Sequence, residues 1–157
     1  MQHFRRRLPD RDDRRRVGVE GAAVLDQHFA NLSAHPRDLA NAFHDVDVPI
    51  GPNDHINAAA CRADADRVRE TGRWLDRHAT DRCATTIGLA LLTTVDNEAD
   101  IPLIRTIGLL SDRFAPLTAR ALERRTGGGR TLMWLAERVA GWGRVHVVES
   151  RCRTAGP

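Results

Sequence analysis

The amino-acid sequence predicts an all-α fold, specifically an α–α superhelix that stacks antiparallel helix pairs. The main observation is a three-residue signature that returns every 31 residues, at 81–83 (Asp-Arg-Cys), 112–114 (Asp-Arg-Phe) and 143–145 (Gly-Arg-Val). A fixed period of about 20 to 50 residues is typical of stacked helical repeats, because one helix pair cannot bury its apolar face alone. The second observation is that apolar residues recur at helical spacing along most of the chain after residue 20.

Charge divides the chain into a leader over residues 1–18 and a single helical-repeat domain over residues 19–157. Residues 1–16 contain seven Arg and three Asp and offer almost no apolar surface to bury, so the leader is predicted to be disordered. Residues 17–157 contain 17 Arg and 18 acidic residues, so the net charge of +3 comes from the leader. All 24 basic residues are Arg and none is Lys. This composition indicates a codon bias rather than selection for Arg chemistry.

The first part of the domain is predicted to contain three helices, over 20–32, over 36–46, and from Asn53 or Asp54 through Cys61. The third helix follows a segment rich in Pro, Gly and Asn, and Asn or Asp at the end of such a turn can cap a helix. Apolar residues at helical spacing support the first two helices: Ala23, Leu25, Phe29, Leu32, Leu39, Ala42, Phe43 and Val46.

A regular pattern begins at residue 64. One helix is predicted over 64–78, and Thr80 is predicted to cap a second helix from Asp81 to about Val95. This second helix has apolar residues on two sides, and a helix with little polar face is usually sandwiched between neighbours. It is therefore expected to be an inner helix of the stack.

The next helix pair is predicted to begin at Asp100, which would cap its first helix. Ser111 or Asp112 is predicted to begin the partner helix, which would end at about Arg125. Within it, Phe114 is predicted to lie in the core between two helix pairs.

Three glycines at 127–129 are predicted to form a flexible linker to a third helix pair, which is interrupted by a break at 141–143. Three pairs are about the minimum that makes a helical stack self-supporting. The inward-facing apolar residues of the third pair are predicted to be Leu132, Leu135, Val139, Val145, Val148 and Cys152.

Two sequence fragments are similar to the conserved entry of a known repeat, namely 66–69 (Asp-Arg-Val-Arg) and 143–146 (Gly-Arg-Val-His). Segments rich in Leu or Ala follow the signature at 87–92 and 119–122. On these fragments, residues 64–153 resemble the HEAT or armadillo-like helical repeats, and the short period is most similar to the compact HEAT-like variety. The resemblance implies an α-solenoid that binds a protein partner without catalysing a reaction.

The arginines of the signature, Arg82, Arg113 and Arg144, are candidate partner-binding residues. They could pair with an acidic side chain or carbonyl of the adjacent repeat and form a ladder along the stack, or they could line a groove for an acidic peptide or a phosphate backbone. The near-neutral charge of residues 17–157 favours the ladder, because a groove for polyanions needs an excess of positive charge. Arg113 is expected to lie at the rim.

The three tryptophans of the repeat region, Trp74, Trp134 and Trp142, are the other candidates. They are interpreted either as core residues or as exposed aromatic anchors for a protein partner. The first function predicted is thus a protein-binding scaffold with an unidentified partner. A nucleic-acid-binding protein that uses the Arg ladder and the basic leader is the alternative.

Four common catalytic or nucleotide-binding motifs are absent from the sequence: the nucleophile elbow, the HExxH motif, the Walker A motif and the dinucleotide fingerprint. No enzyme activity, cofactor or metal is therefore predicted. The adjacent His44 and Asp45 support a second alternative, an HD-type metal phosphohydrolase, with His28 as an upstream ligand and Asp96 or Asp100 as a downstream ligand.

The cellular location expected from the sequence is the cytoplasm. Cys61, Cys83 and Cys152 are too few and too scattered for a disulfide framework, and an odd count fits a reducing compartment. No secretory signal is visible, and the longest apolar run, 87–92, is far shorter than the ~20 residues that a membrane-spanning helix needs. No membrane association is predicted.

Overall fold

A computed structural model describes residues 16–155, apart from the side chains of Trp142 and Ala155. Most of the predicted leader, residues 1–15, lies outside the described residues. Nine α-helices and no strand are present in the part of the chain from residue 19 to 155. The helices are α1 (Val19–Ala30), α2 (Pro36–Ala42), α3 (Asp54–Arg62), α4 (Ala65–His78), α5 (Arg82–Thr94), α6 (Ile101–Leu110), α7 (Ala115–Glu123), α8 (Gly128–Ala136) and α9 (Gly141–Ala155).

Three pairs of consecutive helices pack together, namely α4 with α5, α6 with α7, and α8 with α9. Contacts of α5 with α7 and of α7 with α9 join one pair to the next, and α1 packs on α3. Because the connections within these pairs are short, the two helices of a pair run in opposite directions. The fold is all-α, as predicted, and its packing is compatible with a helical repeat. No helix in residues 19–155 has the length and apolar character needed to cross a membrane.

Helix α5 lies at the centre of the molecule. Every residue from Ala84 to Thr93 is buried, and the helix packs against α3, α4 and α7. This confirms the prediction that a helix with two apolar sides is an inner helix. Gly72 of α4 and Gly88 of α5 allow these two helices to approach each other closely, because a Cβ on Gly72 would lie 3.1 Å from the carbonyl oxygen of Gly88.

Two of the predicted helix caps are wrong. Asp81, not Thr80, caps α5, since its carboxylate accepts a hydrogen bond from the backbone N–H of Ala84 at 2.9 Å. Asp100 makes no side-chain capping bond to α6, because its carboxylate is turned into the protein and is buried. The predicted cap of α3 is confirmed, with the side chain of Asn53 accepting hydrogen bonds from the first turn.

Several boundaries differ from the predicted ones. Helix α1 ends at Ala30 and leaves Leu32 87% exposed, and α2 ends at Ala42 rather than at residue 46. A 3₁₀ turn, Asp112–Phe114, precedes α7, and α7 itself ends at Glu123. The prediction that Phe114 lies in the core is confirmed, because this side chain is buried.

The glycines at 127–129 do not form a flexible linker. Gly127 has a φ of 80°, which favours glycine, while Gly128 and Gly129 form the first turn of α8. Gly128 packs so closely on the end of α7 that a Cβ there would lie 2.7 Å from the carbonyl carbon of Leu122. The predicted break at 141–143 is also wrong, because α9 begins at Gly141.

Helix α9 presents the opposite face to the one predicted. Val145, Val148 and Cys152 are exposed, whereas Val147 and Ser150 are buried. The inward face also contains the small Gly143, whose added Cβ would lie 3.7 Å from the Cβ of Ala115 in α7. Small residues thus bring α9 close to its neighbour, and the apolar side chains of the predicted core lie on the outside.

Candidate interaction surface

The three signature arginines occupy unlike positions and do not come together. Arg82 is the exposed first residue of α5, Arg113 lies half-buried in the 3₁₀ turn, and Arg144 is exposed in the second turn of α9. None of the three takes part in an ion pair with another residue of the described range 16–155. The predicted Arg ladder is therefore absent from this range. The Nε of Arg113 is buried without a hydrogen-bond acceptor there, so this side chain is not at the rim in the way the sequence predicted.

Trp74, one of the three candidate tryptophans, is half-buried on α4. Its ring packs edge-on against His35, with centroids 5.3 Å apart, and tilted against His78 at 5.1 Å. It lines a cavity of about 350 Å³ together with Arg37 and Asp81. Both ring contacts come from the protein itself, so Trp74 mainly joins α2 and its preceding loop to α4. The side chain of Trp142 is outside the described part of the structure.

The ring of Trp134, on α8, is in contact with two arginines. The guanidinium carbon of Arg105 on α6 is 4.6 Å from the Trp134 ring centroid, and that of Arg138 is 4.0 Å from it. Arg138 follows Trp134 by four residues, so it reaches back over the ring and donates a hydrogen bond to the Trp134 carbonyl at 3.0 Å. The positive charges are thus held at an aromatic ring that is itself half-buried.

Exposed apolar side chains lie on the same two helices as this group. Leu109 lies one helical turn beyond Arg105 on α6, on the same side, and Met133 precedes Trp134 on α8; both are about half exposed. Leu110, at the end of α6, is 66% exposed. We define the Trp134 surface by its two arginines, its tryptophan and these apolar residues: Arg105, Leu109, Leu110, Met133, Trp134 and Arg138.

Charge on the Trp134 surface is positive. Arg138 has an ion pair with Glu137 at 3.2 Å, but that carboxylate is on the neighbouring residue and is itself largely exposed. Within the described residues, Arg105 has no ion pair. Its guanidinium N–H groups are therefore available to an incoming carboxylate. The contact of the guanidinium group with the Trp134 ring restricts the orientation of the Arg105 side chain.

A buried polar cluster that the sequence did not reveal lies between α4, α5, α6 and α7. The carboxylate of Asp100 binds the Nε of Arg73 and, at 3.3 Å, the Nε of Arg69, and Arg125 is 3.9 Å away. Arg125 is buried, and its guanidinium group donates to four backbone carbonyls, those of Leu92, Val95, Asn97 and Ala121.

Asp76 of α4 belongs to the same cluster. Both of its carboxylate oxygens are buried without a hydrogen-bond partner among the described residues. Burial, and to a lesser extent the nearby charge of Asp100, holds the pKa of Asp76 well above its usual range. Asp76 is therefore expected to be a neutral carboxylic acid at the pH values where ordinary aspartates are ionised.

The residues of the HD-type alternative are not assembled. His44 and Asp45 are exposed after the end of α2, while His28 is buried in α1. Burial, followed by the charge of Arg67, lowers the pKa of His28. Asp100 already binds arginines. Among the described residues, no three His, Cys, Asp or Glu side chains are grouped in a way that could hold a metal ion.

A cavity of about 610 Å³ lies between the loop before α3 and the helices α7 and α9. Its most buried charged group is Glu123, which accepts hydrogen bonds from Arg120 at 3.2 Å and from Arg153 at 2.8 Å. Burial opposes ionisation, but hydrogen bonds from Ser150 and from the two arginines outweigh it and lower the pKa of Glu123. The carboxylate is thus neutralised by the protein, and this cavity offers no clear excess charge for a ligand.

In comparisons with family models, with curated proteins and with solved structures, no match to the chain was found.

Proposed function

We propose that this protein is a HEAT-like helical scaffold whose Trp134 surface binds an acidic segment of another protein. The observation that carries the proposal is the contact of two guanidinium groups, those of Arg105 and Arg138, with the ring of Trp134, together with the exposure of Leu109 and Met133 on the same two helices. Trp and Arg are the residue types most enriched among those that dominate protein–protein binding. The packing of consecutive helices supports the helical-repeat part of the proposal.

The chemistry of the partner follows from the two kinds of group on the surface. A carboxylate can form a bidentate pair with Arg105, which has no ion pair within the described range. An apolar side chain beside that carboxylate can cover Leu109 and Met133, which are now about half exposed. An acidic segment that alternates carboxylates with apolar residues satisfies both requirements.

A nucleic-acid partner is less well supported. Recognition of a phosphate backbone depends on many positive charges along one face, and residues 17–157 contain 17 Arg against 18 acidic residues. The signature arginines do not line up on a common groove either. The guanidinium planes of Arg105 and Arg138 can stack on a base, however, so the experiment includes an arm for nucleic acid.

The experiment is affinity capture from a lysate of the cells that express the protein, with four baits. The wild-type chain should retain a protein that Trp134→Ala and Arg105→Ala lose, with a decrease in affinity of more than about 30-fold for the tryptophan variant. Trp74→Ala is the matched control, because Trp74 is also half-buried but its ring contacts are histidines rather than arginines.

Two further observations decide the nature of the partner. Retention should weaken between about 50 and 500 mM salt, because exposed ion pairs are screened, and it should survive nuclease treatment. Retention that is lost with nuclease would support the nucleic-acid alternative. If no protein depends on Trp134, or if Trp74→Ala has the same effect, the Trp134 surface is not the binding site.

A further inference from the structure

The outward face of α9 carries an apolar stripe. Val145 is 40% exposed, Val148 is 43% exposed, and Cys152 is also exposed. Their spacing of three and then four residues is the a–d–a spacing of a coiled-coil heptad, which places all three on one side of the helix. Much of this stripe stays open to solvent, because the buried face of α9, which includes Val147 and Ser150, is the opposite one.

Charged residues flank the stripe in a pattern that complements itself. With Val145 at position a, Arg144 occupies position g and Glu149 occupies position e, and both side chains are exposed. When two such helices lie parallel and in register, position g of one helix faces position e of the other, five residues further on. Arg144 of one copy would therefore face Glu149 of the other, and the two-fold symmetry makes this pair twice.

An antiparallel arrangement of the same two helices is disfavoured. It brings position g opposite g and position e opposite e, which would place Arg144 near an arginine of the other copy and the two Glu149 side chains near each other. Like charges at such positions destabilise the pair, and flanking charges of this kind set the orientation of coiled coils.

We propose that two copies of this chain associate through α9, as a parallel pair around a two-fold axis, with Val145, Val148 and Cys152 in the contact. This contact is separate from the Trp134 surface and does not depend on it. Helix α9 has 15 residues, about two heptads, so the contact is small and the dimer should be weak and concentration-dependent. An isologous contact of this kind closes on itself and leaves no free copy of the stripe.

The geometry makes one covalent test available. In a parallel, in-register pair, each a position faces its own counterpart, so the two Cys152 thiols would lie within reach of a disulfide. Diamide accepts the two electrons and two protons of the thiol pair and becomes the hydrazine, so a covalent dimer should form and should be visible on a non-reducing gel. Cys61 is the matched control, because it is also exposed but lies on α3.

The full-length protein is used in all arms. The wild type and Cys61→Ser should form the covalent dimer, and Cys152→Ser should not. Sedimentation velocity under reducing conditions should show a dimer whose dissociation constant rises at least tenfold in Val148→Asp. Because Val148 is exposed, circular dichroism should show that this variant remains folded.

A charge exchange separates this proposal from a general loss of solubility or folding. Arg144→Glu should weaken the dimer about tenfold, since it places two pairs of like charges together, and adding Glu149→Arg should restore it. A covalent dimer that persists in Cys152→Ser, a protein that stays monomeric up to millimolar concentration, or a double variant as weak as the single one would each overturn the proposal.

Discussion

Among single substitutions of the arginines in the buried polar cluster, Arg125→Met should cause the largest decrease in the free energy of unfolding. Arg125 follows α7, and its buried guanidinium group binds carbonyls at the ends of two helices. Its Nη2 donates to Leu92 at 2.7 Å and to Val95 at 2.8 Å, while its Nη1 donates to Ala121 at 2.6 Å. The carbonyls of a helix's last turn have no partner within the helix, so Arg125 supplies the partners that α5 and α7 lack.

The magnitude follows from what the substitution leaves behind. Four carbonyls lose their donor, and each buried unsatisfied group costs roughly 1–3 kcal/mol, while Asp100 loses one of its three cations. In the opposite direction, the variant avoids the desolvation cost of burying a guanidinium ion, and this gain offsets part of the loss. Removal of one member of a buried ionic cluster typically costs about 3–5 kcal/mol, which we take as the expected decrease in the free energy of unfolding.

Urea denaturation followed by circular dichroism provides the measurement, with an unchanged m-value as the check that unfolding stays two-state. The neighbouring Arg124 is exposed, so Arg124→Met is the control and should change the free energy of unfolding by less than about 0.5 kcal/mol. Arg125→Lys should fall between the two, because an ammonium group has three donors for the four carbonyls. A loss below about 1 kcal/mol for Arg125→Met would refute the argument.

Two other predictions concern Asp76 and the glycines before α8. The raised pKa of Asp76 means that the folded protein keeps a proton which the unfolded chain loses above about pH 4, so stability should fall as pH rises from there towards the folded pKa. Asp76→Asn should abolish this decline in urea titrations repeated along the pH range, and equal slopes in both proteins would contradict the assignment. Gly128→Ala should cost about 1–3 kcal/mol, because its Cβ would collide with Leu122. In Gly129→Ala the new Cβ meets nothing nearer than 3.9 Å, so this variant should be neutral or up to about 1 kcal/mol more stable, because Ala has the higher helix propensity. Thermal melts provide the measurement for both variants. Equal results for the two would support the flexible linker that the sequence predicted.

The helical architecture could be predicted because it depends on a periodic signal. The two apolar sides of α5 indicated an inner helix, and ten consecutive buried residues confirm it. The period alone does not decide which apolar side of an amphipathic helix turns inward. In α9 the sequence favoured the larger side chains, but Gly143 and Ser150 lie on the buried face because small residues allow helices to approach closely.

The repeat signature was misleading for a related reason. A spacing of 31 residues records distance along the chain, not position relative to a helix start. Cys83 is in the first turn of α5, Phe114 is buried in a 3₁₀ turn, and Val145 is exposed in the second turn of α9. The three copies of the signature therefore lie in three different environments, and so do their arginines.

The buried charges could not be predicted, because no local pattern links an acid to arginines 27 and 31 residues away. Composition even argued against them, since an arginine-only chain suggests that individual arginines matter little. That argument holds for exposed positions but fails where the guanidinium geometry itself is used. Arg67 of α4 donates to the carbonyls of Phe29 at 2.7 Å and Asn31 at 2.5 Å, at the end of α1.

Arg67 and Arg125 thus perform the same task at different ends of the molecule. Each one satisfies the last carbonyls of a helix that is distant in sequence, and a planar group with five donors can do so where a lysine ammonium could not reach as many acceptors. Because the donor belongs to one helix region and the acceptors to another, fraying of α1 or α5 would break contacts in a neighbouring element as well. The described helices are therefore joined by side chain to backbone bonds in addition to their apolar core, which explains how helices of only 7 to 15 residues remain ordered.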